Sequence, residues 1–258
     1  MKKIILALII MAFIAIGASA QDAMSIIRAS RDLNKATTVS TRSRMVITAK
    51  NGNTTERLMD QYSKDDARGL GRTVIVFQQP QSVAGTRFLT IETTGTANDQ
   101  WIYLPSLQKV RRIAASEGSG SFMGTDFSYD DISSMNRDSD LDTHAIIREE
   151  AINGRACYVI ESRPKDSSYQ YSRMVSWIDK STSSNLKLEL YDKRNALAKV
   201  VEFQDFRDIQ GRNPSMRTTM STVSAGTSTT IFIEIMKYDD PIPESVFTTA
   251  YLETGRAR

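Results

Sequence analysis

Over most of the chain, apolar and polar residues alternate with a period of two. Between residues 229 and 238, Ile231, Ile233 and Ile235 interleave with Thr230, Phe232, Glu234, Met236 and Tyr238. Leu186, Leu188 and Leu190 interleave in the same way with Lys187, Glu189 and Tyr191. In an extended strand, side chains i and i+2 share a face, so this alternation predicts strands with one apolar face and one mixed face. Similar runs occupy Val39–Lys50, Thr54–Lys64, Thr73–Gln79, Thr86–Thr93, Gln100–Leu104 and Lys109–Ala114. They continue over His144–Glu150, Arg155–Arg163, Tyr169–Asp179, Leu197–Phe206 and Met216–Val223. Turn residues separate them. Asn51-Gly52-Asn53 and Asn153-Gly154 predict tight hairpins, because asparagine and glycine tolerate the left-handed backbone of such turns. Asp192–Asn195 and Ala225-Gly226 mark two more turns.

Helical spacing is confined to the ends. Met24, Ile26, Ile27 and Leu33 form an apolar stripe over Asp22–Asn34, with Asp22 placed to cap it. Pro243 opens a short C-terminal helix over Glu244–Leu252. Close turns between about a dozen strands, with no long linker or repeat, predict one mainly β domain built as an antiparallel meander. With few helices to cover it, the apolar face must either curl on itself or enclose a cavity. Half-closed antiparallel barrels of this size commonly hold an apolar ligand.

The first 20 residues read differently. Lys2 and Lys3 precede an apolar run from Ile4 to Ile16, and Ala18-Ser19-Ala20 has the small-x-small form cleaved by signal peptidase. The run is too short to span a bilayer as an anchor. Residues 1–20 are therefore expected to be a signal peptide, and 21–258 the exported domain with Gln21 at its N-terminus. Lipidation at this site requires a cysteine, and the sole cysteine is Cys157. The expected product is a soluble, non-lipidated periplasmic protein. Without Lys2 and Lys3, the 33 basic residues become 31, against 30 acidic ones. That near-neutral balance, with no basic stripe, argues against nucleic acid as a partner. A single cysteine excludes an intramolecular disulfide, and Cys157, inside the apolar run Ala156–Ile160, is expected to be a buried inert thiol.

Candidate catalytic groups are scarce. His144, the sole histidine, sits in a strand-like run and is expected to be structural. No His/Cys cluster has zinc spacing, and no nucleophile elbow, P-loop or dinucleotide fingerprint is present. Asp126, Asp130 and Asp131 lack the ladder of a calcium loop and are expected to cap a short helix. No enzyme, metal or cofactor is expected.

The segment Asp99–Ser134 departs from the meander. Trp101 and Tyr103 lie on one face of a strand, with Ile102 and Leu104 on the other; Lys109 and Arg111 share a face in the return strand, beside Arg112. A glycine- and serine-rich stretch, Ser116–Gly124, then carries Phe122 and Met123, followed by Phe127 and Tyr129. Apolar residues on such a loop are costly in water and must pack or cover something. Two readings stand: a fixed plug of the core, or a mobile lid over a ligand cavity.

The run WIYLPSLQKVRRI followed by GSFMGTDFSYDDI resembles the signature of the bacterial outer membrane lipoprotein-sorting family, a LolA-like group named after a treponemal representative. Gln79-Pro80, Gly85-Thr86, Gly154–Tyr158, Trp177–Lys180 and Phe247-Thr248 extend the resemblance over the mature chain. It implies a single curved antiparallel sheet forming an unclosed (half) β-barrel with a few covering helices. It also implies a carrier, or chaperone, for lipid or lipoprotein acyl chains, serving an inner-membrane exporter and an outer-membrane acceptor. On that reading Trp101, Tyr103, Leu104, Phe122, Met123, Phe127 and Tyr129 line or close the site. Arg111 and Arg112, by nearness to the loop, are candidates for locking the lid or contacting a head group. The alternative is a non-enzymatic interaction module with a plugged interior that partners a membrane exporter.

Overall fold

A computed structural model describes residues 22–94, 98–134 and 137–257. The expected signal peptide lies outside the described residues. Residues 22–32 form helix α1. Thirteen strands follow: β1 Thr38–Thr48, β2 Thr54–Asp65, β3 Gly71–Gln79, β4 Arg87–Ile91, β5 Asp99–Leu104, β6 Lys109–Arg112, β7 Asp142–Ile152, β8 Arg155–Pro164, β9 Arg173–Asp179, β10 Asn185–Tyr191, β11 Leu197–Phe206, β12 Ser215–Thr222 and β13 Thr227–Tyr238. Two short helices complete the list, α2 Tyr129–Ser133 and α3 Thr249–Thr254.

All thirteen strands belong to one antiparallel sheet in the order β6-β5-β4-β3-β2-β1-β13-β12-β11-β10-β9-β8-β7. The order follows from two meanders. β1 to β6 run outward to one edge, β7 to β13 run back from the other, and β13 closes the gap by pairing with β1. Consecutive strands β6 and β7 are thus the two edges, and the sheet is open.

By internal contacts the chain forms two compact units, residues 1–33 with 138–200, and residues 34–137 with 201–258. In the first, α1 places Ala23, Ile26 and Ile27 against Ile146, Tyr158, Ile160 and Ile178 of β7 to β9. Arg28 and Arg31 on α1 pair with Asp140 at 2.6 Å and Asp138 at 3.1 Å. Asp179 is 2% exposed and closes the turn after β9. It accepts from the amides and hydroxyls of Ser181 and Thr182 and from Arg155 Nε. Burial pushes its carboxyl up, but these five donors outweigh burial and hold it well below the usual carboxylate range.

In the second unit, both faces of the sheet are covered. On one face, Ile242, Val246, Phe247 and Leu252 of the C-terminal segment pack on Val74 and Leu89. The expected C-terminal helix is divided here: Glu244–Phe247 is a 3₁₀ turn, and Thr248 then caps α3 by accepting from Tyr251 N. On the other face lies residues 114–134, the loop that follows β6.

Candidate functional site

Register decides which side chains face that loop. Phe88 stands opposite both Ile75 and Ile102, and Leu89 stands opposite both Val74 and Trp101. Directly opposed residues share a face. Ile75, Phe77, Phe88, Gln100 and Ile102 therefore form one face, and Val74, Leu89, Trp101 and Tyr103 the other. The loop takes the first. Phe122 is fully buried. Its ring centroid lies 5.1 Å from Phe88, 5.9 Å from Phe77 and 5.5 Å from Tyr129, with edge-on geometry to Phe88 and Tyr129. Such tilted and edge-on pairs are the favoured ones for aromatic rings.

The loop is a small hairpin. Phe122 N donates to Phe127 O at 2.7 Å, and Thr125 N to Phe122 O at 3.0 Å. Between them Met123 and Gly124 both take positive φ, at 53° and 75°, as primed turns require. Phe122 and Phe127 are buried and Met123 is half-buried. Ser128 and Asp131 then cap α2 reciprocally: Ser128 N donates to Asp131 Oδ2, and Asp131 N to Ser128 Oγ.

Polar contacts fix the loop at both ends. At its base, Gln100 Nε2 donates to Asp130 Oδ1 at 3.1 Å and Ser133 Oγ at 3.3 Å. Asp130 lies so close over Gly118 that a Cβ there would stand 2.2 Å from Oδ1. Burial pushes the Asp130 carboxyl above its ordinary value, with Asp131 adding to the rise. At its tip, Asp126 is 7% exposed and binds a threonine cluster on β12 and β13. Oδ1 accepts from the Thr222 and Thr227 hydroxyls at 2.6 and 2.5 Å, and Oδ2 from Thr229 at 2.7 Å.

The residues singled out from sequence thus divide. Phe122 and Tyr129 come together on Phe88, Phe127 is buried, and Met123 sits at the turn of the loop. Trp101 and Tyr103 lie on the opposite face with the C-terminal segment, where the Arg87 guanidinium sits 5.1 Å from the Tyr103 ring centroid and donates to Leu252 O. Leu104 is half-buried at the end of β5. Arg111 is exposed and pairs with Glu117 at 2.7 Å, and exposed Arg112 pairs with Asp99. Asp131 caps α2 as expected, whereas Asp126 does not cap a helix: its carboxylate is taken by three strand hydroxyls.

Sequence reasoning missed two features. One is the Asp126 threonine cluster, whose partners are about a hundred positions away. The other is Arg57 on β2. Arg57 stands opposite Met45, and Met59 opposite Phe77, so Arg57 shares the loop-covered face. Its guanidinium lies 5.8 Å from the Phe77 ring centroid. Its buried Nη1 has no hydrogen-bond partner, and burial lowers its pKa.

The remaining candidates are structural. His144 is 7% exposed and hydrogen-bonded at both nitrogens, to Ser162 Oγ at 2.7 Å and the Ser139 carbonyl at 2.9 Å. Cys157 is buried, and burial pushes its thiol up, away from thiolate reactivity. Among the described residues no group of three His, Cys, Asp or Glu side chains is placed to hold a metal, and no helix is long and apolar enough to cross a membrane.

An open antiparallel sheet with short covering helices and an apolar loop on one face defines a LolA-like protein. A family model described as "-like: Uncharacterized protein" matches residues 69–254, well over half of the sequence, and the chain belongs to that family, a LolA-like one by its structural neighbours. A DUF1329 family protein from Desulfovibrio piger is 28% identical with a TM-score of 0.87, over 91% of this chain and 99% of that one. A putative outer membrane lipoprotein-sorting protein domain from Vibrio parahaemolyticus is also 28% identical, with a TM-score of 0.85 and the same coverage. A LolA superfamily protein from Nitrosomonas europaea shares the fold at 21% identity and a TM-score of 0.72, over 89% of this chain and 98% of that one. No curated protein sequence matches the chain significantly.

Proposed function

We propose that this protein is exported to the periplasm by a cleaved signal peptide and acts there, without catalysis, as a carrier for lipid or lipoprotein acyl chains moving toward the outer membrane. The observation that carries this reading is the loop at residues 114–134. It covers an apolar, aromatic-rich sheet face with the Phe122 ring and is fixed at its two ends by polar contacts, the Asp126 cluster and Gln100. Such a cover can lift as a unit and expose a surface built for hydrocarbon. The name of the Vibrio parahaemolyticus neighbour agrees with that role. Transfer would be physical: each methylene leaving water for the sheet face gains about 0.8 kcal/mol, so a long acyl chain outweighs the closing contacts of the loop. An exporter in the inner membrane and an acceptor in the outer membrane are the partners this role requires.

Native mass spectrometry of protein recovered from the periplasm should show co-purifying lipid, and the purified protein should bind a fluorescent fatty acid. Protein that is free of lipid and fails to bind the probe overturns the carrier reading.

The complete burial of Phe122 favours a second reading, in which the loop is a permanent plug and the protein acts through its surface as a partner of a membrane exporter. Hydrogen exchange separates the two. A lid exchanges its amides at residues 118–133 far faster than the strands beneath it, whereas a plug exchanges with them.

A further inference from the structure

Most arginines in this protein are matched to an acceptor. Arg42 is paired with Asp60, Arg111 with Glu117 and Arg155 with Asp179. Arg57 differs in every respect that bears on binding. It is half-buried, it lies on the apolar face with Met45, Met59 and Phe77, and its Nη1 is shielded from solvent with nothing to donate to. Its contact with the Phe77 ring orients the guanidinium without satisfying its N–H groups. A buried guanidinium donor without an acceptor is destabilising, because it has lost its water and gained no hydrogen bond. Methionine at this position would avoid that cost, and glutamine would at least remove the charge.

Arg57 is also one ring from the loop. Phe77 touches both the Arg57 guanidinium and Phe122. Lifting the loop would uncover, side by side, an aromatic surface for hydrocarbon and an unpaired cation. We propose that Arg57 forms the head-group subsite of the loop-covered face, taking the anionic oxygens of an amphiphile whose chain lies along Phe77 and Phe88. This rests on the carrier reading and narrows it: the ligand carries a carboxylate or phosphate next to its acyl chain. Guanidinium suits such groups because its forked N–H donors match two oxygens at once.

Displacement of a fluorescent fatty acid by palmitate and by hexadecanol, which share chain length but differ in head-group charge, tests the inference. The wild-type protein should bind palmitate about ten-fold more tightly, a difference of about 1.4 kcal/mol. In R57Q the preference should vanish while hexadecanol binding is unchanged, and R57K should restore part of it. Because R57Q removes a half-buried charge that has no acceptor, its Tm should equal or exceed that of the wild type, so lost preference cannot be ascribed to unfolding. Inorganic phosphate alone should not displace the probe; displacement would assign Arg57 to a free anion and overturn the amphiphile. Equal wild-type binding of palmitate and hexadecanol, or a preference retained in R57Q, overturns the Arg57 subsite and leaves the carrier reading standing. Binding of neither overturns the carrier reading itself.

Discussion

Asp126 and Thr229 hold each other by two hydrogen bonds: the threonine hydroxyl donates to Asp126 Oδ2 at 2.7 Å and accepts from Asp126 N at 3.0 Å. Thr229 is fully buried, so this exchange takes place away from water. With Thr222 and Thr227 on the other carboxylate oxygen, it makes Asp126 the polar catch of the loop. Asp126→Ala strands three hydroxyls, at least one of them buried, and should destabilise the closed loop by about 2 kcal/mol. Amide exchange across residues 118–133 should accelerate, with little change in β1 to β3.

Phe122→Ala tests the apolar half of the closure. Removing a fully buried phenylalanine costs about 3–5 kcal/mol where the site cannot collapse. For a lid, that cost falls on loop closure. Limited proteolysis should then cut within residues 114–134 while the urea midpoint of the sheet moves little. A large drop in the global midpoint would identify a plug.

Trp101→Ala should act on the opposite face. Trp101 stands opposite Leu89 and packs with the C-terminal segment, not with the loop. Its truncation should loosen residues 240–254, seen as faster exchange at Leu252 and Tyr251. Loop protection and lipid binding should stay as in the wild type. Loss of lipid binding in Trp101→Ala, with the loop still protected, would return Trp101 to the ligand site.

These cases show where sequence pattern was sufficient. The hairpins at Asn51–Asn53 and Asn153-Gly154 were legible because turn chemistry is local; Gly52, Asn153 and Gly154 all adopt positive φ. Alternation likewise put Trp101 and Tyr103 on a common face. It could not say which face the loop would cover, since that depends on the register of β3, β4 and β5. The expected strand from Tyr169 begins instead at Arg173. Asp166 accepts from both the amide and the hydroxyl of Ser168, and Tyr169 N donates to Asp166 O, so local side-chain bonds hold a turn where the apolar pattern suggested a strand. The Asp126 cluster was invisible because no local feature joins an aspartate to threonines about a hundred residues away. Alternation alone does not distinguish an inward arginine such as Arg57 from one exposed on the mixed face.

The base of the loop should respond to pH with the sign of a buried acid. Burial raises the Asp130 carboxyl above its ordinary value of 3.8, so the closed loop favours the protonated form. Closure should therefore weaken as pH rises through the window between 3.8 and the raised value, and stay weakened above it. Asp130→Asn removes that slope. Its amide can also donate to Gln100 Oε1, a buried acceptor that has no partner. Loop protection, with exchange taken relative to the intrinsic amide rate at each pH, should be independent of pH between 4 and 7 in Asp130→Asn, and at pH 7 greater than in the wild type.

Glu244 should show the opposite sign on the other face. Its carboxylate bridges Lys64 Nζ at 2.5 Å and Arg72 Nη1 at 2.6 Å, clamping the start of the C-terminal segment to β2 and β3. The hydrogen bonds from Arg72 and then Lys64 lower its pKa from 4.5 to about 2. A depressed carboxyl adds stability that is complete above the unfolded value and is lost as pH falls from about 4.5 toward 2. Glu244 is largely exposed, so the contribution is screened by salt and should be modest. In the wild type, docking of residues 240–254, followed by exchange at Tyr251 and Leu252, should loosen over that acid window, and more steeply at low ionic strength than at high. Relative to the intrinsic amide rate, Glu244→Gln should exchange faster than the wild type at pH 6, and its protection should no longer depend on pH below 4.5. An unchanged acid slope in Glu244→Gln would assign the acid sensitivity of this segment to another carboxylate.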